Sequence, residues 1–274
     1  MTESILSKSQ LEDTRQFWNA NPCDGQANIS QRMEFRYKKD TWLPEVFSDI
    51  GKQYTNVLEV GCGQGSDALY CCQHMRKGSS YTGIDYSEES LQSAQSSVKE
   101  IANNLEVIPQ FLKGNAENLE FPDNSYECVV SIGVLHHTPN TQEAINEIHR
   151  VLEKGGVCYI ALYRIYSPKV LAAYLLRILV SLVDAIGGKN FVLGRVRKFG
   201  SNHSLGTMLL EGIGVPIMSS YTLSQIKKMF KNFEIIEVQS KGLGLPFFNS
   251  INKWFDKGSN PLGLFWFIKA KKSE

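Results

Sequence analysis

The sequence predicts an α/β protein in which helices cover a mainly parallel β-sheet. From Val57 onward, short apolar runs alternate with segments of helical periodicity, which is typical of strands joined by crossover helices. The first run leads into a glycine-rich turn and the second ends at Asp85, so glycine and polar residues gather where strands end. The 274 residues suffice for one sizeable domain with an insertion, and two full domains are not expected.

Five candidate strands follow in order, at 56–60, 80–84, 106–112, 127–132 and 157–162. The helices between them carry their own start signals. Ser87, followed by two glutamates, suits a helix N-terminus, and Asn140 with Glu143 resembles a capping box. We expect the helix after Asn140 to end at the Gly155–Gly156 pair, which would turn the chain into the fifth strand.

The last part of the chain predicts one more helix and two more strands. Thr222 with Gln225 is typical of a capped helix N-terminus. Strand-like runs follow at 233–239 and 263–270. These patterns predict the two strands but do not give their direction.

Two segments fall outside this alternation. Residues 1–50 carry aromatic and apolar anchors and predict an N-terminal lid of two helices joined by a turn at 19–25. Residues 164–220 are too long for an ordinary connection and predict an inserted cap that covers the site. The core is then formed by 51–163 and 221–274.

One run within the insertion, residues 170–183, is apolar on nearly all sides, with Arg177 as its only charge. A membrane-spanning helix needs about 20 apolar residues, and this run is shorter. Three interpretations are open: burial between the core and a substrate, a contact in a homodimer, or contact with a membrane. Burial is favoured because helices that are apolar all round usually lie inside protein.

Composition excludes several classes of protein. A net charge of +1 and a pI near 7.6 give no general reason to expect a nucleic-acid partner. The six cysteines include no Cys-x-x-Cys pair, so we expect free thiols in a reducing compartment and no metal site. The N-terminal residues lack the apolar core of a signal peptide, which favours a cytoplasmic location.

The glycine-rich turn at Gly61, Gly63 and Gly65 is typical of a cofactor-binding loop. Without Cβ atoms a ligand can approach the main chain and meet the N–H groups that open the next helix. Asp85 ends the second strand, where its carboxylate could hold both hydroxyls of a ribose. The spacing differs from the Gly-x-Gly-x-x-Gly dinucleotide pattern, which argues against NAD.

Four motifs occur in order between about residues 55 and 163. They are Glu59-x-Gly61-x-Gly63-x-Gly65, Asp85, Gly114-Asn-Ala-Glu117 and Ser131-Ile-Gly-Val-Leu-His-His137. In order and spacing they resemble class I S-adenosylmethionine-dependent methyltransferases, most of all the small-molecule branch with quinone-biosynthesis and natural-product enzymes. The resemblance implies a Rossmann-like fold: a seven-stranded, mostly parallel sheet with an antiparallel C-terminal strand and helices on both faces. It also implies S-adenosyl-L-methionine as cofactor.

The resemblance assigns parts of the cofactor to these motifs. Glu59 would orient the loop or offset the methionine ammonium, and Asp85 would bind the ribose, with Tyr86 against the adenine. Asn115 replaces the aspartate usual in the family, but its amide oxygen can still accept from the adenine amino group. The predicted cofactor-binding residues are Glu59, Gly61, Cys62, Gly63, Gly65, Asp85, Tyr86, Asn115, Ala116, Glu117 and Ser131.

Catalytic and acceptor residues are predicted around the fourth strand and the N-terminal helices. His136 or His137 would be a general base for a hydroxyl or amine, since imidazole titrates near neutrality. Packing against the cofactor is the other interpretation, and a carboxylate acceptor needs no base. Trp18, Arg36 and Tyr37 are candidates for binding the substrate.

The sequence therefore predicts a cytoplasmic S-adenosylmethionine-dependent methyltransferase. It would move a methyl group to O or N, including a carboxylate, of a small or peptide-like apolar metabolite by in-line displacement. Quinone or lipid C-methylation is the nearest enzymatic alternative. A non-catalytic module that binds S-adenosylmethionine or a partner protein is the alternative of another class.

Overall fold

The computed structural model describes residues 2–22, 28–187, 212–243 and 248–273. Three helices precede the sheet: α1 (Thr2–Ala20), α2 (Ile29–Lys39) and α3 (Leu43–Gln53). The prediction of two helices was wrong because α2 ends at Lys39 and a new helix begins after Trp42, with Pro44 in its first turn. Proline suits that position because the first N–H groups of a helix have no partner within it.

Seven strands form one sheet in the order β3-β2-β1-β4-β5-β7-β6. Strands β1 to β5 are parallel to their neighbours, and β7 runs antiparallel to both β5 and β6. This confirms the predicted mostly parallel sheet with antiparallel C-terminal strands. The strands are β1 (Asn56–Val60), β2 (Ser80–Asp85), β3 (Gln110–Lys113), β4 (Tyr126–Ile132), β5 (Leu152–Tyr163), β6 (Phe233–Lys241) and β7 (Phe265–Lys272).

The remaining α-helices are α4 (Ser66–Cys72), α5 (Glu88–Ile101), α6 (Thr141–Val151), α7 (Pro168–Gly187), α8 (Leu223–Met229) and α9 (Asn249–Phe255). The predicted caps are confirmed. The Ser87 side chain accepts from the backbone N–H of Ser90 at the start of α5, and Asn140 does the same for Glu143 at α6. Thr222 begins α8 with a complete capping box. Such caps satisfy N–H groups that a helix leaves without partners.

Two predicted boundaries were wrong. Helix α6 ends at Val151 and β5 begins at the next residue, so the Gly155–Gly156 pair lies inside the strand. There the β4–β5 register is interrupted by a bulge, and Gly155 adopts φ +76°. Strand β3 begins only after Pro109, since proline has no N–H to give to the ladder.

The sheet is buried on both faces, which fixes the strand ends that carry the site. Neighbouring residues of β1 belong to opposite clusters: Val57 packs with α3 and α4, and Leu58 packs with α6. Parallel sheets covered on both sides read as continuous apolar runs for this reason. The carboxyl ends of β1 and β4 are therefore held by well-packed neighbours.

Helix α7 buries one side and exposes a broad apolar side. Val170 is buried, and Arg177 donates to the carbonyl oxygens of Gly212 and Val215, both at 2.7 Å. The favoured prediction of burial was wrong for most of this helix. Of the described helices, none combines the length and apolar character needed to cross a bilayer. The exposed apolar side chains are Leu171, Leu175, Leu176, Ile178, Leu179, Leu182, Val183 and Ile186.

Some predicted features lie outside the described residues. They are residues 23–25 of the predicted turn and residues 188–211 of the predicted cap.

Candidate functional site

A cavity lies over the carboxyl ends of β1, β2 and β4, where open α/β sheets place their ligands. Its walls come from two groups of segments. One group is the glycine loop with the ends of β2 and β3, and the other is the first three helices with the start of β7. Glu59, Asp85 and Asn115 lie in the first wall, and Trp18 and Phe265 in the second.

The glycine loop is held in a conformation that needs glycine. Gly61, Gly63 and Gly65 have φ values of +83°, +51° and +80°. A Cβ atom at Gly61 would lie 2.4 Å from Val134 Cγ1 and 2.4 Å from Cγ2. At Gly61 and Gly63 the main chain therefore lines the cavity without a side chain in front of it.

Asp85 is placed by two backbone N–H groups. Its Oδ2 accepts from Gly63 N at 2.8 Å and its Oδ1 from Ser87 N at 2.8 Å. Burial raises the pKa of this carboxyl group above its ordinary value, while these N–H donors act in the opposite direction. The carboxylate is thus fixed between the glycine loop and the start of α5, facing the cavity.

Glu59 is buried directly beneath the loop. Tyr81 donates its hydroxyl to Glu59 Oε2 at 2.9 Å. Burial, reinforced by the nearby Asp67 carboxylate, raises the pKa of Glu59 to about 8, although Tyr81 and Arg36 lower it. A cationic group placed beside Glu59 would therefore meet a carboxyl group that ionises near neutral pH.

Asp67 is a site residue that the sequence analysis missed. It lies in the first turn of α4 and is buried, with Arg36 Nε at 2.8 Å from Oδ1 and 2.9 Å from Oδ2. Tyr37 donates to the same Oδ1 at 3.1 Å. This ion pair ties α2 to the helix after the glycine loop. The sequence signal that could have indicated Asp67 is an acidic residue two positions after Gly65.

The two histidines occupy different surroundings. His137 lines the cavity, and its Nδ1 lies 2.7 Å from the carbonyl oxygen of Ile217. A carbonyl only accepts, so Nδ1 carries the hydrogen and, in the neutral ring, Nε2 carries the lone pair. His136 is fully buried outside the cavity lining, 3.7 Å from the Tyr163 ring between centroids, and burial lowers its pKa well below the ordinary value.

The cavity brings together many of the predicted residues. Those in its lining are Trp18, Arg36, Glu59, Gly61, Cys62, Gly63, Asp85, Tyr86, Asn115, Ala116 and His137. Asn115 Oδ1 also accepts from the backbone N–H of Glu117 at 3.0 Å, which orients its amide.

The other predicted residues lie behind the lining. Ser131 donates to the carbonyl of Val60 at 2.7 Å, and Glu117 accepts from the backbone of Asn140. A Cβ atom at Gly65 would meet Phe111 at 2.9 Å. Tyr37 and His136 are also outside the lining, so their contribution would be positional.

Aromatic residues far apart in the sequence form the second wall. Phe35, Trp42 and Phe265 line the cavity, and the Trp42 and Phe265 rings are 6.4 Å apart. Trp18 contacts the His137 ring edge-on at 5.4 Å. No local motif marks these positions, because they meet only through tertiary packing.

Among the described residues, no group of three His, Cys, Asp or Glu side chains is arranged to hold a metal.

Comparison with known sequences decides the class of domain. Residues 58–160 match the family described as "Methyltransferase domain". The chain contains a methyltransferase domain. The resemblance to S-adenosylmethionine-dependent methyltransferases is therefore confirmed for this part, and S-adenosylmethionine is the cofactor of that class.

Two relatives extend the similarity. The chain is 33% identical over 130 residues to a demethylmenaquinone methyltransferase of Listeria welshimeri, covering 47% of this chain and 51% of that protein. It is 32% identical over 100 residues to a fatty-acid O-methyltransferase of Mycolicibacterium smegmatis, covering 36% of this chain and 34% of that protein. The chain thus matches about half the length of the first relative.

A solved structure supports the fold over nearly the whole chain. Magnesium protoporphyrin IX methyltransferase from Synechocystis PCC 6803, solved with bound S-adenosylhomocysteine, superposes with a TM-score of 0.54. The identity is 15%, with 99% of this chain and 98% of that chain covered. At this identity the likeness concerns the fold alone.

Proposed function

We propose that this protein is an S-adenosylmethionine-dependent methyltransferase acting on O or N of a small, fairly apolar acceptor. The observation that carries the proposal is the continuity of one cavity from the glycine loop to an aromatic wall. A cofactor held at the loop and an acceptor held at the wall would share the same space, which favours direct transfer between them.

The residues of the loop side fit the cofactor. Main-chain N–H groups at the start of α4 suit a carboxylate, and Asp85 suits a ribose diol. The buried carboxyl groups of Glu59 and Asp67 suit an ammonium group, whose charge would favour ionisation of Glu59. When bound, S-adenosylmethionine would supply a sulfonium methyl group that is already electrophilic.

His137 is the residue we propose as general base. The Ile217 carbonyl fixes its tautomer, so that Nε2 can take a proton from an acceptor hydroxyl or amine. Trp18 packs against the same ring and limits its rotation. A carboxylate acceptor would need only positioning. His136 is not proposed as a base, because its ring is buried outside the cavity lining.

A quinone or lipid acceptor is the second candidate. It is favoured by the similarity to the demethylmenaquinone and fatty-acid methyltransferases. The apolar lining at Phe35, Trp42 and Phe265 suits either acceptor class. Partition of the protein onto lipid vesicles, lost on exchanging Leu175 and Leu179 for serine, would favour this candidate over a water-soluble metabolite.

Calorimetric titration of the wild type and Asp85→Ala with S-adenosylmethionine, S-adenosylhomocysteine and NAD tests the proposal. We expect the two adenosyl ligands to bind, NAD not to bind, and Asp85→Ala to weaken both at least about tenfold, or 1.4 kcal/mol. Asp123→Ala, an exposed carboxylate outside the cavity lining, serves as the matched control and should leave affinity unchanged. Preferred binding of NAD, or of no ligand, would overturn the proposal.

A further inference from the structure

The segment of residues 212–221 contacts the residue that we propose as general base. His137 donates from Nδ1 to the carbonyl oxygen of Ile217 at 2.7 Å. Residues 215–220 belong to neither a helix nor a strand, so no regular hydrogen-bond pattern orients their peptide groups. Each carbonyl in this stretch points where its own hydrogen bonds hold it. The direction of the Ile217 carbonyl, and with it the tautomer of His137, therefore depends on what holds segment 212–221.

Two side chains of α7 hold this segment. Tyr174 donates its hydroxyl to the carbonyl oxygen of Met218 at 3.1 Å, and the same hydroxyl lies 3.0 Å from the hydroxyl oxygen of Ser220. Arg177 donates to two carbonyl oxygens at the start of the segment, both at 2.7 Å. Tyr174 and Arg177 are three positions apart and so share one face of the helix. This face is opposite the exposed apolar side of α7.

One peptide unit connects Tyr174 to the loop that carries the histidines. The Met218 carbonyl and the Ser219 N–H belong to the same planar peptide. The carbonyl accepts from Tyr174, and the N–H donates to the carbonyl of His136 at 2.9 Å. This peptide is therefore held from both sides. The preceding peptide carries the Ile217 carbonyl and is joined to it through a single Cα atom, so its orientation follows from the same two hydrogen bonds.

Packing against α1 restricts the position of the segment but not the direction of its carbonyls. Val215 is buried in a cluster with Phe17, and Met218 packs against that cluster. Trp18 contacts the His137 ring edge-on at 5.4 Å. Apolar contacts have no preferred direction, so they do not decide which way a carbonyl points. The polar side chains of α7 supply that direction.

We propose that Tyr174 and Arg177 are positioning residues for His137. They hold segment 212–221 so that the Ile217 carbonyl accepts from Nδ1, which leaves the lone pair of the neutral ring on Nε2. Both residues are outside the cavity lining, so they act through the main chain of the segment and not by touching a ligand. The inference rests on the proposed function, because it concerns the orientation of the proposed base. No bond forms or breaks at either residue.

The tautomer of the His137 ring is the property to measure. Long-range proton–nitrogen NMR spectra of protein labelled at the histidine ring nitrogens report it, at a pH at which the ring is neutral, with and without S-adenosylhomocysteine. The His137 signals are those missing from His137→Gln. We expect the wild type to hold mainly the Nδ1–H form. Tyr174→Phe keeps the ring and removes one hydroxyl, so the ratio of the Nδ1–H to the Nε2–H form should fall at least about fivefold.

Arg177→Met tests the other end of the segment. It keeps an apolar stem but removes both donations to the main chain, so we expect the ratio to fall at least about twofold. Tyr166→Phe is the matched control, since it also removes one tyrosine hydroxyl, but Tyr166 is 59% exposed and precedes α7. It should leave the ratio unchanged. Urea unfolding confirms that each variant is folded under the conditions of the spectra.

Three results would overturn the inference. They are an unchanged ratio in both Tyr174→Phe and Arg177→Met, an equal fall in Tyr166→Phe, and a wild-type ring that is mainly in the Nε2–H form. Failure of S-adenosylhomocysteine to bind the wild type would instead overturn the proposed function. The two failures are distinguishable because the tautomer ratio is also measured without that ligand.

Discussion

The two walls of the cavity are built in different ways. The cofactor wall, formed by residues 59–64, 66–67, 85–87 and 114–116, relies on main-chain groups. Gly61 N and Cys62 N both donate to the carbonyl of Ile84, at 2.8 and 2.9 Å. The acceptor wall, formed by Trp18, Phe35, Asp40, Trp42 and Phe265, relies on side chains brought together by packing. Main-chain geometry tolerates little change in sequence, whereas a wall of side chains can be altered residue by residue.

The largest expected effect comes from filling the cofactor wall. In Gly61→Ala the new Cβ would clash with Val134, and the residue would have to keep a positive φ. We therefore expect the unfolding free energy to fall by about 3 kcal/mol and S-adenosylhomocysteine to bind at least about a hundredfold more weakly. Gly78→Ala is the control: its φ is +89° but a Cβ there meets nothing within 4 Å. It should cost about 1 kcal/mol and leave binding intact. Equal losses of unfolding free energy in Gly61→Ala and Gly78→Ala, measured by chemical denaturation, would contradict this prediction.

Glu59 gives the cofactor wall a pH dependence. Its pKa is raised in the folded state from 4.5 to about 8, so the folded state holds the proton more tightly. That contribution to stability is complete below pH 4.5 and is lost as pH rises to about 8, by up to about 1.4 kcal/mol per pH unit.

Urea unfolding at several pH values between 5 and 9 measures this loss. Glu59→Gln should flatten the profile over that range. Glu127→Gln is the control, because backbone N–H donation from Thr55 lowers the pKa of Glu127, so its contribution is already complete in this window. If the unfolding free energy of Glu59→Gln still falls steeply as pH rises, another titratable group causes the loss.

The smallest effect is expected on the exposed side of α7, which belongs to neither wall. Leu179 is 57% exposed, so Leu179→Ser should change the unfolding free energy by less than about 0.5 kcal/mol and leave S-adenosylhomocysteine binding unchanged. Val170→Ala, on the buried side of the helix, should cost about 2 kcal/mol. A loss above about 1 kcal/mol for Leu179→Ser would mean that this face is packed.

The sequence predicted the cofactor wall better than the acceptor wall, because the cofactor wall depends on local main-chain geometry and the acceptor wall on long-range packing. The glycine loop and Asp85 are local signals, since positive φ and a strand end leave marks within a few residues. The sheet followed because its strands are buried on both faces and read as apolar runs. The capped starts of α5, α6 and α8 were also readable from neighbouring residues.

The acceptor wall could not be derived in this way. Trp42 meets Phe265 across more than two hundred positions of sequence, and the break between α2 and α3 that places Trp42 was not expected. Asp67 was missed because its function depends on Arg36, a long-range partner. Sequence patterns predict the structure of one segment at a time, whereas these contacts form only when several segments have folded together.

The position of β7 has an evolutionary consequence. It lies between β5 and β6 and runs antiparallel, so its first residue, Phe265, rather than its last, reaches the cavity edge. The β6–β7 connection can therefore change in length or composition without moving the strands that carry the glycine loop. The acceptors of such a chain can therefore change through the lining residues of α1 to α3 and Phe265, without changes in the segment 58–160 that matches the methyltransferase family.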